Sequence, residues 1–346
     1  MGAAPGLKIL IGTAAAFIVL AGLREVSSIA GPVFLALTLM IAVSPLRSWL
    51  VRRGAPVWVT VAVPLGAVLL TLLALLFALI LALAQLATLV PSYSHQLNSL
   101  AQAVTGYAAK LGIKNEQIQK AVTTFDPTKI LELVQGFLSG LLSVSTAFVL
   151  IVVLLVSMSL DTGALVRRLV RIAPGRPDLV QALANYARGT CRYLVVSSVF
   201  GLIVAVLDTG LLAVLGVPLP MLWGLLAFIT NYIPNLGFVI GLVPPALLGL
   251  LQSGWVTMLL VVVGYCVINF VIQSLIQPKF LGQAVGLSVT LTMLSLLVWA
   301  YVLGALGAVL AVPLTAFVKA VLVDSDPRLR WAGDLMADSG MERRAA

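Results

Sequence analysis

Inside the long apolar run 219–251 sits a polar, helix-breaking interruption, Asn231-Tyr-Ile-Pro234-Asn235-Leu-Gly237. Pro234 lacks an amide hydrogen, Gly237 lets backbone approach closely, and Asn231 and Asn235 each carry a side-chain donor and acceptor. Those amides would either satisfy carbonyls set free by the break or hold a solute. A second constellation is Asn269, Gln273 and Gln277, spaced by four and therefore on one face of a helix. Such a face turns to protein or water; interhelical hydrogen bonding and a pathway lining would each account for it. Asp208 lies fifteen residues past Tyr193, in sequence without Lys or Arg. At the centre of a membrane span a carboxylate costs roughly 2.5–3.5 kcal/mol to insert, which makes it a candidate proton or cation carrier. Near an interface that cost would shrink. Gln277-Pro278-Lys279 completes the set, with Lys279 placed either to attract an anion or to anchor a helix end by snorkelling.

Other chemistry is missing. The sequence has no GxxxxGK[ST] phosphate cradle and no GxSxG elbow. His95 is its single histidine, which argues against HExxH metal chemistry and a serine–histidine protease. Cys191 and Cys266 are far apart and form no disulfide or metal pattern. The expectation is a protein that is not an enzyme, with no cofactor and no metal.

The elements that must position these residues are membrane helices. The chain is 61% hydrophobic and 10% charged, and residues 57–90 contain no charged side chain at all. A hydrocarbon slab about 30 Å thick needs about 20 such residues as helix. The apolar runs are continuous rather than alternating, which excludes a β-barrel. The fold class is therefore all-α: a polytopic helical membrane protein with about eight hydrophobic segments. They fall near 7–23, 28–46, 57–90, 136–160, 193–217, 219–251, 254–276 and 287–323. The first, preceded by Lys8, reads as an uncleaved helix, because no small-residue cleavage site follows and a second apolar run begins at Ile29.

A net charge of +9 suggests either nucleic acid or membrane topology. Fourteen of the 21 basic residues fall in three clusters beside apolar runs: Arg47, Arg52 and Arg53; six arginines between 167 and 192; and five basic residues between 319 and 344. That pattern favours lipid over nucleic acid as the partner. Placing all three clusters in the cytoplasm puts both termini inside and segment 91–135 outside. In that segment Leu97, Leu100, Val104, Tyr107 and Leu111 form one apolar helical stripe, and Asp126-Pro127 reads as the start of a helix running into the next span. The organisation is then 1–90, N-terminal transmembrane helices; 91–135, an extracytoplasmic amphipathic segment; 136–192, a span with a basic linker; 193–323, the C-terminal core; and 324–346, a tail.

Two runs are abnormal. The 219–251 run also contains Pro244 and Pro245; the 287–323 run would be roughly 55 Å long as one helix and contains Gly304, Gly307 and Pro313. Each follows a regular span, and Val243–Pro244 and Val312–Pro313 occupy similar places. Folded as two re-entrant hairpins, they would form an inverted repeat of the kind that sets transporter sites at mid-membrane, and Lys279 would lie inside. As two single passes they would put Lys279 outside. The spacing favours the hairpins.

Several of these pieces together resemble the autoinducer-2 exporter (AI-2E) family of bacterial PerM-type permeases. They are Ser44-Pro45-Leu46 with Trp49 to Gly54, Tyr186 to Gly189, Leu215-Gly216-Val217-Pro218, the 231–237 break, Gln277-Pro278, Val285-Gly286-Leu287 and Leu303 to Pro313. The resemblance implies a multi-pass transporter of the bacterial cytoplasmic membrane with cytoplasmic termini. It also implies a small-molecule substrate and a homo-oligomer, with a pentamer as one form. Family members are described as exporters of autoinducer-2 or as sodium (lithium)/proton antiporters. The chain departs from the family pattern at Asn235 and Phe238, next to the break. The expected function is a secondary carrier exporting a small hydrophilic solute, with Asn231, Pro234, Asn235, Gly237, Asp208, Asn269, Gln273, Gln277, Lys279 and Pro313 as pathway candidates. The alternatives are a cation/proton antiporter and a membrane scaffold that binds partners through 91–135.

Overall fold

The computed structural model describes residues 5–89, 127–234, 236–281 and 287–329. The amphipathic stripe at 97–111, Asn235, the 282–286 loop and the tail beyond 329 lie outside the described residues. The elements are helices: α1 (Pro5–Glu25), α2 (Ser27–Ala42), α3 (Ser44–Arg52), α4 (Val57–Leu89), α5 (Pro127–Ile172), α6 (Pro177–Val214), α7 (Pro220–Thr230), α8 (Gly237–Ser253), α9 (Trp255–Asn269), α10 (Gln277–Leu281) and α11 (Val289–Lys319). A π-helical stretch, Phe270–Ile276, joins α9 to α10, so that Trp255–Phe280 is one continuous span. Prolines open α3, α6 and α7 at their first turns, where a missing amide costs no helical bond. Among the described residues, six helices are long and apolar enough to cross a membrane, and α7 and α8 are shorter apolar helices. This is the all-α polytopic architecture that composition demands.

Both abnormal runs double back. α7 has 11 residues and α8 has 17, about 16 and 25 Å long, so neither arm alone spans the hydrocarbon. The two arms pack on each other: the point where a Gly241 Cβ would sit is 3.5 Å from Ala227 Cα. A straight helix would separate those residues by about 21 Å. α11 is broken at Gly304, whose φ of 65° and ψ of −144° only glycine adopts readily. Trp299 Nε1 on the first arm donates to Thr315 Oγ1 on the second at 2.9 Å; in a straight helix these residues would stand about 24 Å apart. Pro313, by contrast, does not break its helix and is buried within the returning arm.

Side-chain contacts fix how the hairpins sit. Ser44 Oγ reaches Cys191 Sγ at 3.8 Å, Arg192 Nε donates to the Phe280 carbonyl at 3.0 Å, and the Tyr186 and Phe317 rings meet edge-on at 5.5 Å. Arg47, Arg192, Lys279 and Lys319 therefore gather at one end of the bundle. Had α7 and α8 formed a single pass, the next span would run the other way and carry Lys279 to the far end. The Arg192–Phe280 bond excludes that arrangement. Ile233 from the turn between α7 and α8 packs on the apolar cluster formed by both arms of α11, including Leu296, Trp299, Leu310 and Leu314. A second cluster joins α4, α6, α7, α8 and α9 around Leu212, Trp223, Val261 and Tyr265. A third joins α2, α4 and α5 around Ala36, Val68, Ile151 and Leu155. Small residues allow the closest approach, as expected where lipid offers helices no hydrophobic drive to associate.

Candidate functional site

α7 ends at Thr230 and α8 begins at Gly237, which leaves the intervening turn to be held by its neighbours. α6 supplies most of that support. Asn231 Nδ2 donates to the Ser197 carbonyl at 2.9 Å, the Tyr193 hydroxyl reaches the Tyr232 carbonyl at 3.4 Å, and Ser198 Oγ and the Tyr232 hydroxyl share a 2.7 Å bond. Gly237 closes the turn against the chain itself: a Cβ there would lie 1.8 Å from the Thr230 carbonyl oxygen. Pro234 sits half-buried in the turn, between the helices rather than inside one.

The amide stripe of the Trp255–Phe280 span meets this turn. Gln273 Nε2 donates to Asn231 Oδ1 at 3.0 Å and to Asn269 Oδ1 at 2.7 Å, and Asn269 Nδ2 donates to the Tyr265 carbonyl at 2.9 Å. One amide relay thus runs from α6 through the broken hairpin to α9. It encloses a cavity of about 10 Å³ lined by Asp208, Thr230, Asn231, Tyr265, Asn269 and Gln273 together with apolar and glycine residues, roughly the volume that one water needs. Asp208 is 0% exposed, and both its carboxylate oxygens, like the Tyr265 hydroxyl, have no hydrogen-bond partner among the described residues. Phe238, Asn269 and Gln273 also line an outer groove of about 560 Å³ with Cys266 and Ser274. Two amides and one ring therefore separate the buried cavity from the surface.

Of the residues singled out in the sequence, Asp208, Asn231, Gly237, Asn269 and Gln273 come together at this cavity. Gln277 is buried but does not line it, because the π-helical stretch between Asn269 and Gln277 widens the turn and rotates the stripe. Lys279 is exposed at the basic end, and Pro313 lies in the packed second arm of α11. Sequence reasoning missed Tyr265, Thr230 and the α6 residues Tyr193, Ser197 and Ser198. Tyr265 stands four positions before Asn269, so the α9 stripe, extended one turn back, reaches it.

A helical membrane bundle with an amide-lined break at its centre is the arrangement on which secondary transporters are built. Comparison with known proteins gives the particular group: residues 7–325 match the AI-2E family transporter profile, and the chain belongs to that family. It is 30% identical to the AI-2 transport protein TqsA of Escherichia coli (strain K12) over 317 residues, 92% of each chain. Similarity to YhhT of the same organism is 28% over 315 residues, 91% of this chain and 90% of that protein; its transport role is assigned by name only. A Haemophilus influenzae protein, likewise assigned to transport by name, is 30% identical over 341 residues, covering 94% of this chain and 95% of its own. The chain is thus a multi-pass helical membrane protein of a transporter family.

Proposed function

We propose that this protein is a secondary carrier that exports a small hydrophilic solute through the region of the α7–α8 turn, and that Asp208 carries the coupling proton. One observation carries the reading: a fully buried carboxylate, neither of whose oxygens has a partner among the described residues, faces a cavity that it shares with the amides of a broken membrane helix. A bare carboxylate at that place is costly, and a proton arriving and leaving with each cycle offsets the cost in one half of it. The amides of Asn231, Asn269 and Gln273 hydrogen-bond one another in this closed form and would exchange those bonds for a polar solute. The α7–α8 and α11 hairpins, related as an inverted repeat, would rearrange to open the route from either side. The similarity to a protein named for AI-2 transport makes autoinducer-2 or a related polar metabolite the first substrate to try. We place the protein in the bacterial cytoplasmic membrane as a homo-oligomer, with the basic end and both termini in the cytoplasm.

A second reading, a sodium (lithium)/proton antiporter, is favoured by the donors of the small cavity, since carboxylate, amide and hydroxyl oxygens suit a hard monovalent cation. The test is flux by the purified protein in liposomes, with polar metabolites screened against imposed proton and sodium gradients. Asp208→Asn should abolish gradient-driven flux while the protein stays monodisperse and keeps its melting temperature. Undiminished flux in that variant would discard Asp208 as the carrier. Proton movement driven by sodium or lithium without organic solute would replace export with antiport.

A further inference from the structure

A second polar convergence lies at the basic end of the bundle, away from the amide cavity. Gly163 of α5 leaves a notch in the helix surface, and two guanidinium groups enter it from different helices. Arg167 Nη1 and Arg47 Nη2 come within 3.6 and 3.8 Å of the point where a Gly163 Cβ would sit. Arg167 belongs to the next turn of α5 and leans back toward the helix N-terminus, as helical side chains do. Arg47 arrives from α3, which is far away in sequence. Neither guanidinium has a carboxylate or a hydrogen-bond acceptor among the described residues. Two like charges brought to one notch without a counter-ion repel each other. A forked, multiply oxygenated anion seated between them would turn that repulsion into charge-assisted hydrogen bonds.

The surroundings indicate which anion. α3 links the apolar helices α2 and α4, so it lies where a span ends. It carries the exposed Trp49, with the Arg53 guanidinium stacked 4.4 Å from that ring, and Trp and Arg are the residues of the membrane interface. Arg47 itself is half-buried, whereas Arg167, Arg52, Arg53 and Arg168 are exposed. A topological charge needs only to stay in water; a half-buried guanidinium facing a second one across a glycine is a more specific arrangement. From this geometry we infer that Arg47, Arg167 and the Gly163 notch form a site for a phosphate anion, supplied by the headgroup of an anionic membrane lipid.

The experiment uses the full-length protein in nanodiscs made of phosphatidylcholine alone or with phosphatidylglycerol, with lipid retention on extraction measured by native mass spectrometry. Each arginine near an anionic surface is worth a few-fold in affinity, so Arg47→Gln/Arg167→Gln should lower phosphatidylglycerol retention on the order of tenfold. The Arg52→Gln/Arg53→Gln variant removes the same amount of charge from the same end of the bundle and should retain the lipid. Gly163→Leu keeps every charge but fills the notch, and it too should lose the lipid. This variant keeps the test decisive if the double arginine variant fails to fold. Inorganic phosphate added to protein in phosphatidylcholine discs separates the sources: no phosphate binding there assigns the site to lipid, and phosphate binding assigns it to a soluble anion with the same coordination. Equal retention in both double-arginine variants, or full retention in Gly163→Leu, would reduce the cluster to ordinary surface charge and overturn the site.

Discussion

Gly237 shows how much the candidate site depends on single atoms. A methyl group there would stand 1.8 Å from the Thr230 oxygen and 2.6 Å from its carbonyl carbon, both backbone atoms that cannot swing aside as a flexible side chain would. Gly237→Ala should therefore destabilise the protein by about 3 kcal/mol or more, beyond ordinary overpacking. The fitting control is Gly66→Ala inside α4, where no neighbouring side chain or other helix lies within 4 Å of the new methyl; removing glycine's backbone entropy there should stabilise by about 0.5–1 kcal/mol. Thermal unfolding of the two variants in detergent checks both signs, and a Gly237→Ala protein that melts like the parent would refute the close approach of Gly237 to Thr230. At this scale the sequence was informative where chemistry is unusual in lipid. Asp208, Asn231, Asn269 and Gln273 stand out because polar side chains in apolar runs need a partner or a purpose. Tyr193, Ser197 and Ser198 were not legible, since hydroxyl groups in membrane helices commonly bond their own preceding turn, as Ser198 does to Leu194 at 2.7 Å.

Among the elements, the decisive feature is that two runs fold back instead of crossing. The sequence made that reading available through length and breakers, but it could not say which breaker acts. Gly304 turns the chain, whereas Pro313, Pro32 and Pro64 all sit inside continuous helices. In a packed bundle the carbonyl that proline leaves free can be satisfied locally, so proline alone is a poor guide to breaks. The π-helical stretch Phe270–Ile276 was not legible at all, because its residues are ordinary helix formers and tertiary packing alone sets its hydrogen bonding. It is the reason that Gln277 departs from the stripe. The hairpin arrangement has a direct test. In a protein lacking Cys191 and Cys266, a cysteine replacing Lys279 should be modified by an impermeant thiol reagent from the same membrane side as a cysteine replacing Arg53. Modification from the opposite side would mean that 219–251 crosses once, contrary to the Arg192–Phe280 contact.

For the whole molecule, the question is which part of an apolar surface meets lipid and which part meets water. Large exposed hydrophobic residues such as Phe17, Ile18, Leu70, Phe77, Val206 and Phe270 occur on most helices, as a lipid-facing shell requires. Composition foretold that shell but not its exception, the groove of about 560 Å³ where Gln273 and Ser274 reach the surface beside Phe238, with Asn269 beneath them. Polar groups facing acyl chains would be uncompensated, so this groove should admit water or a polar solute during transport. Cys266 is a built-in reporter because it is a free, exposed cysteine lining the groove. Charged reagents do not enter hydrocarbon and cannot reach a thiol there. With Cys191 replaced by serine, Cys266 should react with a charged, water-soluble thiol reagent in membrane vesicles. A cysteine introduced at Phe17, which is 74% exposed on α1, should react only with a lipid-soluble reagent. If a transported solute enters by this groove, its presence should slow the reaction at Cys266, and Asp208→Asn should change the rate by shifting the balance between closed and open forms. A Cys266 that behaves like the position-17 control would show that lipid fills the groove, and the solute would then need another way in to the amides.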